Sequence, residues 1–463
     1  MNRFSFTPKS KEKEENSQSI SEKKNLDINI SINNSTIQEI INRTNKLQGE
    51  KTKKLIKDIL LKLINNQKEE LKKVCFDGLP DDLPILRSLI WKINLKYLNF
   101  DIDKWEEYTE KKRKEYEDIK AAFLLKMEIE KKLHEELEQA TISSEQKPDL
   151  LDTARENKIN ELKKFTRNTD KELLELIDND VRRTHTDLNF FFMPCKKEKL
   201  AEGEVIEIVE RRRSIVSGQE TKTLDDIYNT QDIIKYETHA NVLSRILYIY
   251  AKLNPEIIYV QGMNEILAPI YYCFSFDSDI KKPEDSELKI NEEENNVNSL
   301  EADTFWAFSM LMEDLKGIFM RKKDESNEGI FIKIQSLWEM LRIVDKELFD
   351  YLNKHNVEIS HFALRWFILL FTQDFVLPDV LRLWDAIISE RDRFYSVYYI
   401  SLGILKIKKS EIMGLDFAEI IMSLQNVSQI DVDKIFEVIR KIKKDYDKKI
   451  RWIMNSQTVD KKK

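Results

Sequence analysis

The sequence predicts an all-α fold, and three observations indicate it. Glycine is rare, with nine among 463 residues, and this argues against a turn-rich β architecture. Apolar residues recur at the spacing of amphipathic helices along most of the chain. Proline and glycine stand where one such run ends and the next begins. The length is enough for about two to four domains, or for one large helical domain with tails.

The helical pattern divides the chain into a central region, two tails and two insertions. The first stretch has few large apolar residues, so we expect a disordered tail there. Two weakly apolar segments interrupt the helical pattern, and we interpret them as surface insertions. The expected division is a tail at 1–35, a helical domain at 36–453 with insertions at 196–235 and 278–300, and a charged tail at 454–463.

Composition and motifs exclude several classes of function. The net charge is −7 with acids and bases interspersed, so no global field favours nucleic acid or an anionic membrane. No glycine precedes a lysine, which excludes a Walker A loop, and G-x-G-x-x-G does not occur. H-E-x-x-H and G-x-S-x-G are missing as well. We therefore expect no nucleotide cofactor and no metal of the chain's own. A binding module, or a protein that acts on a ligand bound to another protein, remains.

Cysteine usage and hydropathy indicate a soluble cytosolic protein. Cys75, Cys195 and Cys273 are odd in number and far apart, which favours a reducing compartment over a disulfide framework. The first residues contain neither a signal-peptide core nor a glycine at position 2. The most apolar long stretch is interrupted by Arg365 and Asp374, so we expect no transmembrane span.

The first candidate segment is "LIDNDVRRTHTDLNFF". An apolar stripe at helical spacing precedes and surrounds Asp180, so we expect Asp180 and Arg183 to lie off the buried face, one turn apart. An aspartate in that place can orient an arginine. The alternative is a surface ion pair that contributes less than about 1 kcal/mol.

The second segment, "IIYVQGMNEILAPIYY", places a glutamine and a glycine inside an apolar stretch. A helix over 239–253 is stopped by Asn254 and Pro255, and a second helix begins near Met263. Gln261 therefore lies in the loop before a helix N-terminus, where its amide can point outward. Gly262 gives room for close approach of another chain. A helix-capping glutamine beside a packing glycine is the alternative.

The third segment is "ALRWFILLFTQDFVLPDVLRLWDAI". Trp366 and Trp384 lie on an apolar stripe at helical spacing, and core packing is the default interpretation. Arg365, Arg382 and Asp385 would then be buried or half-buried polar groups that need partners.

Four motifs follow one another over some 300 residues. They are R-x-x-x-W at Arg87 and Trp91, I-x-x-D-x-x-R at Ile177, Asp180 and Arg183, Y-x-Q-G-M at Tyr259, Gln261, Gly262 and Met263, and R-W-F…L-P-D-V-L-R-L-W-D from Arg365 to Asp385. Each motif alone is weakly specific, but their order is highly specific. From about Leu71 to Ile439 the chain resembles the TBC domain of Rab GTPase-activating proteins, in the branch typified by TBC domain family member 13.

The resemblance implies an all-helical, V-shaped domain whose groove receives the switch regions of a Rab protein carrying GTP and Mg²⁺. The domain would span 36–453, with two catalytic fingers in the half at about 71–277 and a C-terminal helical half at about 301–453. Arg183 would be the arginine finger over the phosphates. Gln261 would replace the Rab's own glutamine and orient the attacking water.

The resemblance also implies supporting roles. Asp180 would hold Arg183, Tyr259 and Asn264 would line the groove, and Gly262 and Met263 belong to the same motif. A structural or groove-shaping role is implied for Arg87, Trp91, Ile177, Arg365, Trp366, Trp384 and Asp385. Arg182 is an adjacent rival for the finger, but the family spacing of three residues after the aspartate selects Arg183.

By this resemblance the protein is a GTPase activator without substrate turnover of its own. GTP and Mg²⁺ belong to the Rab partner, and membrane contact is through Rab or peripheral. The implied setting is cytoplasmic, transiently at endomembranes, in vesicle trafficking. A catalytically inactive Rab-binding scaffold is the alternative, although such members usually lose a finger and this chain has both. The sequence leaves open which Rab is accepted, and whether the basic segment before Ser214 is a kinase site or a solvated loop.

Overall fold

A computed structural model of the chain describes residues 34–145, 169–195, 237–277, 290–319 and 329–459. These residues form sixteen α-helices and two 3₁₀-helices. Within the same ranges the β structure is limited to one isolated bridge between Pro194 and Thr238. The prediction of an all-α fold is confirmed.

The α-helices follow one another along the chain with these bounds. They are α1 (Ser35–Lys46), α2 (Glu50–Ile64), α3 (Lys68–Asp77), α4 (Pro84–Asn94), α5 (Trp105–Glu145), α6 (Thr169–Val181), α7 (His239–Leu253), α8 (Met263–Phe274), α9 (Ile290–Phe319), α10 (Ile330–Val344), α11 (Lys346–Lys354), α12 (Ser360–Leu369), α13 (Leu377–Ser389), α14 (Arg393–Ile412), α15 (Phe417–Gln425) and α16 (Val432–Val459). The 3₁₀-helices are Ile102–Lys104 and Asn189–Phe192.

Helix α8 is the centre around which the other helices pack. All of its residues except Tyr272 are buried, because it is apolar on every side, as interior helices are. It contacts α4, α6, α7, α9, α12 and α13. The first residue of α8, Met263, directly follows Gln261 and Gly262. An almost fully buried helix therefore begins just after the predicted glutamine finger.

The first and last sequence motifs meet at a buried carboxylate on α13. Asp385 accepts hydrogen bonds from Arg87 Nε (3.1 Å), from Trp91 Nε1 (2.8 Å) and from the backbone N–H of Leu79 (3.1 Å). The rings of Trp91 and Trp384 stack with centroids 5.8 Å apart. Since a buried charge must be paired and hydrogen-bonded to be tolerated, these contacts fasten α4 to α13.

A second buried carboxylate holds the turn between α12 and α13. Asp374 Oδ1 accepts hydrogen bonds from Arg365 Nη2 (2.6 Å) and Trp366 Nε1 (3.2 Å). The indole of Trp384 donates to the carbonyl oxygen of Leu370 (2.9 Å). Arg365, Trp366 and Trp384 thus have polar partners, as burial requires, whereas Asp374 Oδ2 and Arg382 Nη1 are buried without one among the described residues.

Two boundaries predicted at the ends of the helical region differ from those in the structure. Helix α1 already begins at Ser35, where the Asn34 side chain accepts the N–H of Ile37 and caps the helix. Asn34 and Ser35 of the tail expected at 1–35 therefore belong to the start of α1, and residues 1–33 lie outside the described residues. At the other end α16 continues to Val459, so 454–459 of the tail expected at 454–463 are helical, and 460–463 lie outside the described residues.

The second predicted insertion is also shorter than expected. Within 278–300, helix α9 starts at Ile290. Its Val297 and Leu300 are buried at 2% and 3% exposure. Their spacing of three residues is a short apolar stripe that the surrounding acidic and asparagine residues obscure. The other predicted insertion, 196–235, lies outside the described residues.

Cysteine usage and hydropathy led to two further expectations, on disulfide bonds and on transmembrane helices. The three cysteines are buried free thiols. Among the described helices, none combines the length and the apolar character needed to cross a bilayer.

Candidate functional site

Arg183 lies just beyond the C-terminal end of α6. Ile177 and Val181 bury the apolar face of that helix at 0% and 2% exposure, and the chain leaves the helix after Val181. Arg183 is exposed, and its side chain makes no hydrogen bond or ion pair with any described residue. The guanidinium is therefore available to a ligand or partner.

Asp180 occupies a different position from the expected one. It is buried at 6% exposure instead of lying off the buried face. Its carboxylate does not pair with Arg183, because Oδ2 accepts the hydroxyl of Tyr259 at 2.8 Å. Burial raises the pKa of Tyr259, and the charge of Asp180 raises that pKa further, so the hydroxyl stays protonated and donates. Asp180 thus positions the backbone before Arg183, and the expected direct ion pair is not formed.

Asn264, in the first turn of α8, ties the Arg183 turn to the Gln261 loop. Its Nδ2 donates to Thr184 Oγ1 at 2.8 Å and to the carbonyl oxygen of Asp180 at 3.3 Å. With the Tyr259 hydroxyl these bonds form what we call the Asp180 network, made of Asp180, Thr184, Tyr259 and Asn264. All four residues are buried, so the network fixes Arg183 and Gln261 relative to each other.

Gly262 is required by the fold of this chain itself. It is the N-cap of α8 with φ of +99°, a conformation that favours glycine. A Cβ atom there would lie 2.7 Å from Leu369 Cδ2 on α12. The sequence suggested that this glycine gives room to another chain, but the close neighbour is a helix of the same protein. Gln261 just before it is exposed, and Met263 just after it is fully buried.

Arg183 and Gln261 line one pocket of about 500 Å³. The other lining residues come from α6, α8, α12 and the turn after α12: Asp180, Gly262, Asn264, Glu265, Leu364, Arg365, Ile368, Leu369 and Gln373. Of the two residues expected to line the groove, Asn264 lines this pocket. Tyr259 is buried beside it, and its hydroxyl donates to the pocket-lining Asp180.

Two polar residues of the pocket escaped the sequence analysis. Glu265 is buried at 7% exposure, and burial raises its pKa to about 7, although a hydrogen bond from Gln373 opposes the shift. Near neutral pH Glu265 is therefore partly protonated and adds only part of a negative charge. Arg365, the second cation, is already paired with Asp374. Among the described residues that line the pocket, the unpaired positive charge is that of Arg183, which suits an anionic ligand group.

A pocket of similar size, about 540 Å³, lies between α1, α4, α5 and α9. Its cations are already satisfied within the chain, since Lys92 Nζ and Arg113 Nη2 contact Asp303 at 2.7 and 2.8 Å. None of the predicted site residues lies there. The pocket at Arg183 and Gln261 is therefore the better candidate site.

Comparisons with known proteins place this chain in a family. A family model described as the Rab-GTPase-TBC domain matches residues 214–413, a range that contains Gln261 and begins after Arg183. The human protein TBC1 domain family member 13 is 32% identical over 399 residues, which cover 81% of this chain and 93% of the human protein. This chain belongs to the TBC domain family. The resemblance seen in its four motifs is confirmed.

Other TBC relatives agree with the fold. The Saccharomyces cerevisiae protein GTPase-activating protein GYP1 is 28% identical over 165 residues, covering 34% of this TBC chain and 25% of the yeast protein. The crystal structure of the Ypt/Rab-GAP domain of Gyp1p superposes with a TM-score of 0.53 at 21% identity. That match covers 92% of this chain and 99% of the solved one. The helical TBC fold is thereby shown.

Removal of the Tyr259 hydroxyl tests the Asp180 network. Tyr259→Phe leaves the buried carboxylate without its hydroxyl donor, so we expect a loss of about 1–3 kcal/mol in folding free energy. The thermal midpoint should fall, and amide hydrogen exchange should accelerate at residues 180–184. Tyr446→Phe is the matched control, because the Tyr446 hydroxyl makes no hydrogen bond within the described residues. An unchanged midpoint and unchanged exchange in Tyr259→Phe would contradict the network.

Proposed function

We propose that this TBC chain is a GTPase-activating protein for a Rab-family small GTPase, and that it acts on the GTP-bound form. The observation that carries the proposal is the shared pocket of Arg183 and Gln261. Both side chains are exposed, they come from separate elements, and the Asp180 network holds those elements together. Membership of the TBC family supports the same function.

In this mechanism Arg183 supplies the positive charge. Hydrolysis of GTP builds negative charge on the oxygens around the γ-phosphoryl group, and a planar guanidinium can donate to two of those oxygens at once. Among the described residues the Arg183 side chain has no hydrogen-bond or ion-pair partner, so its binding to the phosphate oxygens breaks no such contact. GTP and Mg²⁺ belong to the Rab partner, so this chain contributes no metal site and no cofactor.

Gln261 supplies the amide that orients the attacking water. Its position directly before Gly262 and α8 keeps the side chain at the mouth of the pocket, on backbone that the start of a buried helix holds in place. A side-chain amide has both a donor and an acceptor, so it can hold a water molecule in line with the γ-phosphorus. The glutamine of the Rab itself is then not required.

The protein therefore acts as an activator that adds catalytic residues in trans, without turnover of a substrate of its own. The fitting setting is cytoplasmic, transiently at the endomembranes that carry the Rab partner, in vesicle trafficking. A catalytically inactive Rab-binding scaffold is the second candidate. The exposure of both finger residues in one pocket favours the activator.

Arg183→Lys is expected to abolish most of the stimulation. An ammonium cannot reproduce the planar donors of the guanidinium, and an arginine finger contributes about 10³- to 10⁵-fold to the rate. The measurement is single-turnover phosphate release from a panel of GTP-loaded Rab proteins, with circular dichroism to confirm an unchanged fold.

Arg182→Lys is the matched control for that experiment. We expect it to retain nearly full stimulation, because the adjacent arginine does not line the pocket. Full activity of Arg183→Lys together with loss in Arg182→Lys would transfer the finger to Arg182. Lack of stimulation of every Rab by the wild-type chain would favour the scaffold.

Gln261→Ala tests the second finger through four pairings of wild-type and mutant partners. If Gln261 orients the water, a Rab whose own switch glutamine is replaced by leucine should keep substantial stimulated hydrolysis with the wild-type chain. Gln261→Ala should lose stimulation with both Rabs, because no orienting amide remains in the right place. Single-turnover phosphate release gives all four rates.

Gln48→Ala is the control for loss of an exposed glutamine, since Gln48 lies between α1 and α2, away from the pocket. It should stimulate both Rabs as the wild type does. Normal stimulation of wild-type Rab by Gln261→Ala would show that this glutamine is not a catalytic finger.

A further inference from the structure

Each of the two pocket glutamines has an exposed aliphatic residue three positions away. Ile258 precedes Gln261 by three residues, and Val376 follows Gln373 by three. Their side chains are 53% and 51% exposed. Three residues span at most about 11 Å, so Ile258 lies within that distance of Gln261 and Val376 within that distance of Gln373, close to the pocket that both glutamines line.

Ile258 is held in a conformation that costs free energy. Its φ is +60°, in the left-handed region where a β-branched residue is a real outlier. The backbone N–H of Ile258 donates to the carbonyl oxygen of Asn254 at 2.8 Å, and buried Ile257 anchors the turn. A side chain that is half exposed contributes little to the core. The isoleucine strains the backbone of the free protein and adds little to its stability. A contact with another molecule is therefore the better explanation for an isoleucine at this position.

The turn that carries Gln373 also combines left-handed backbone with a nearby exposed aliphatic side chain. Leu370 and Phe371, both fully buried, have φ of +50° and +68°. The hydrogen bonds of Trp384 Nε1 to Leu370 O and of Thr372 Oγ1 to Leu369 O fix this turn. Val376, at the end of this turn, occupies the N-cap position of α13. Aliphatic groups on fixed backbone lose little conformational entropy when a partner covers them.

We propose that Ile258 and Val376 form a two-point apolar contact for the GTPase partner, beside the pocket, and help to select which GTPases are accepted. This inference rests on the proposed function, because a GTPase that presents its γ-phosphate to Arg183 and Gln261 must lie across the same rim. The occupant is an apolar patch of the GTPase beside its bound nucleotide. A charged or polar residue at that place would be desolvated without a partner and would be rejected.

The test separates binding from chemistry with three variants. Ile258→Gly removes the aliphatic group and relieves the strain. Ile258→Thr keeps β-branching but replaces the ethyl group by a hydroxyl, and Val376→Thr replaces one methyl group by a hydroxyl at nearly constant volume. Steady-state kinetics with a stimulated Rab should show KM raised about tenfold in each. We expect kcat within about twofold of wild type, because contacts outside the reacting groups change KM and leave kcat unchanged.

Stability provides a second readout that a merely structural role would not give. Ile258→Gly should melt about 2 °C higher than wild type while it binds the Rab more weakly, whereas Ile258→Thr should not gain stability. Leu125→Ala is the matched control. Leu125 is 59% exposed on α5, which does not line the pocket, and its loss should change neither KM nor kcat.

The outcomes distinguish this inference from the proposed function. An unchanged KM at either position, with wild-type stimulation intact, would overturn the two-point contact and leave the proposed function standing. A fall in kcat without a change in KM would also overturn it, since the residues would then position Gln261 or Gln373. If the wild-type chain stimulates no Rab in the panel, the proposed function and this inference fail together.

Discussion

The hydrogen bonds of Asn264 to the end of α6 are the constraint on which the site depends. Through Thr184 Oγ1 and the Asp180 carbonyl they join the turn of Arg183 to the first turn of α8, and the Tyr259 hydroxyl closes the network on the Asp180 carboxylate. Without them Arg183 and Gln261, the proposed fingers, would lie on separate elements with independent positions. Catalytic groups must be held in place before a reaction, so the proposed joint action of the two residues depends on this network.

The network in turn depends on the burial of α8. Six helices surround it, and the paired carboxylate of Asp385 fastens two of them, α4 and α13, beneath it. Gly262 allows α12 to approach the start of α8 closely, so that residues of α12 form the opposite wall of the pocket. The four sequence motifs thus correspond to contacts between helices that are far apart along the chain.

Local signals in the sequence predicted most of the helices near the site. The bounds of α7 and the start of α8 follow from Asn254, Pro255 and Gly262, which act within a few residues. The burial of Asp180 was not predictable in this way, because the residue that covers it, Tyr259, lies 79 positions further along. Glu265 was missed for a related reason: a lone acid in an apolar helix shows its burial and raised pKa only once the neighbouring helices are in place.

The central claim is that Arg183 and Gln261 act together on the transition state of GTP hydrolysis. The most direct measurement compares the affinity for a Rab loaded with GDP and aluminium fluoride with that for the same Rab loaded with a non-hydrolysable GTP analogue. The wild-type chain should prefer the aluminium fluoride complex by about a hundredfold or more. Arg183→Lys and Gln261→Ala should each lose this preference while they keep the affinity for the analogue complex. A preference retained in both variants would contradict the account.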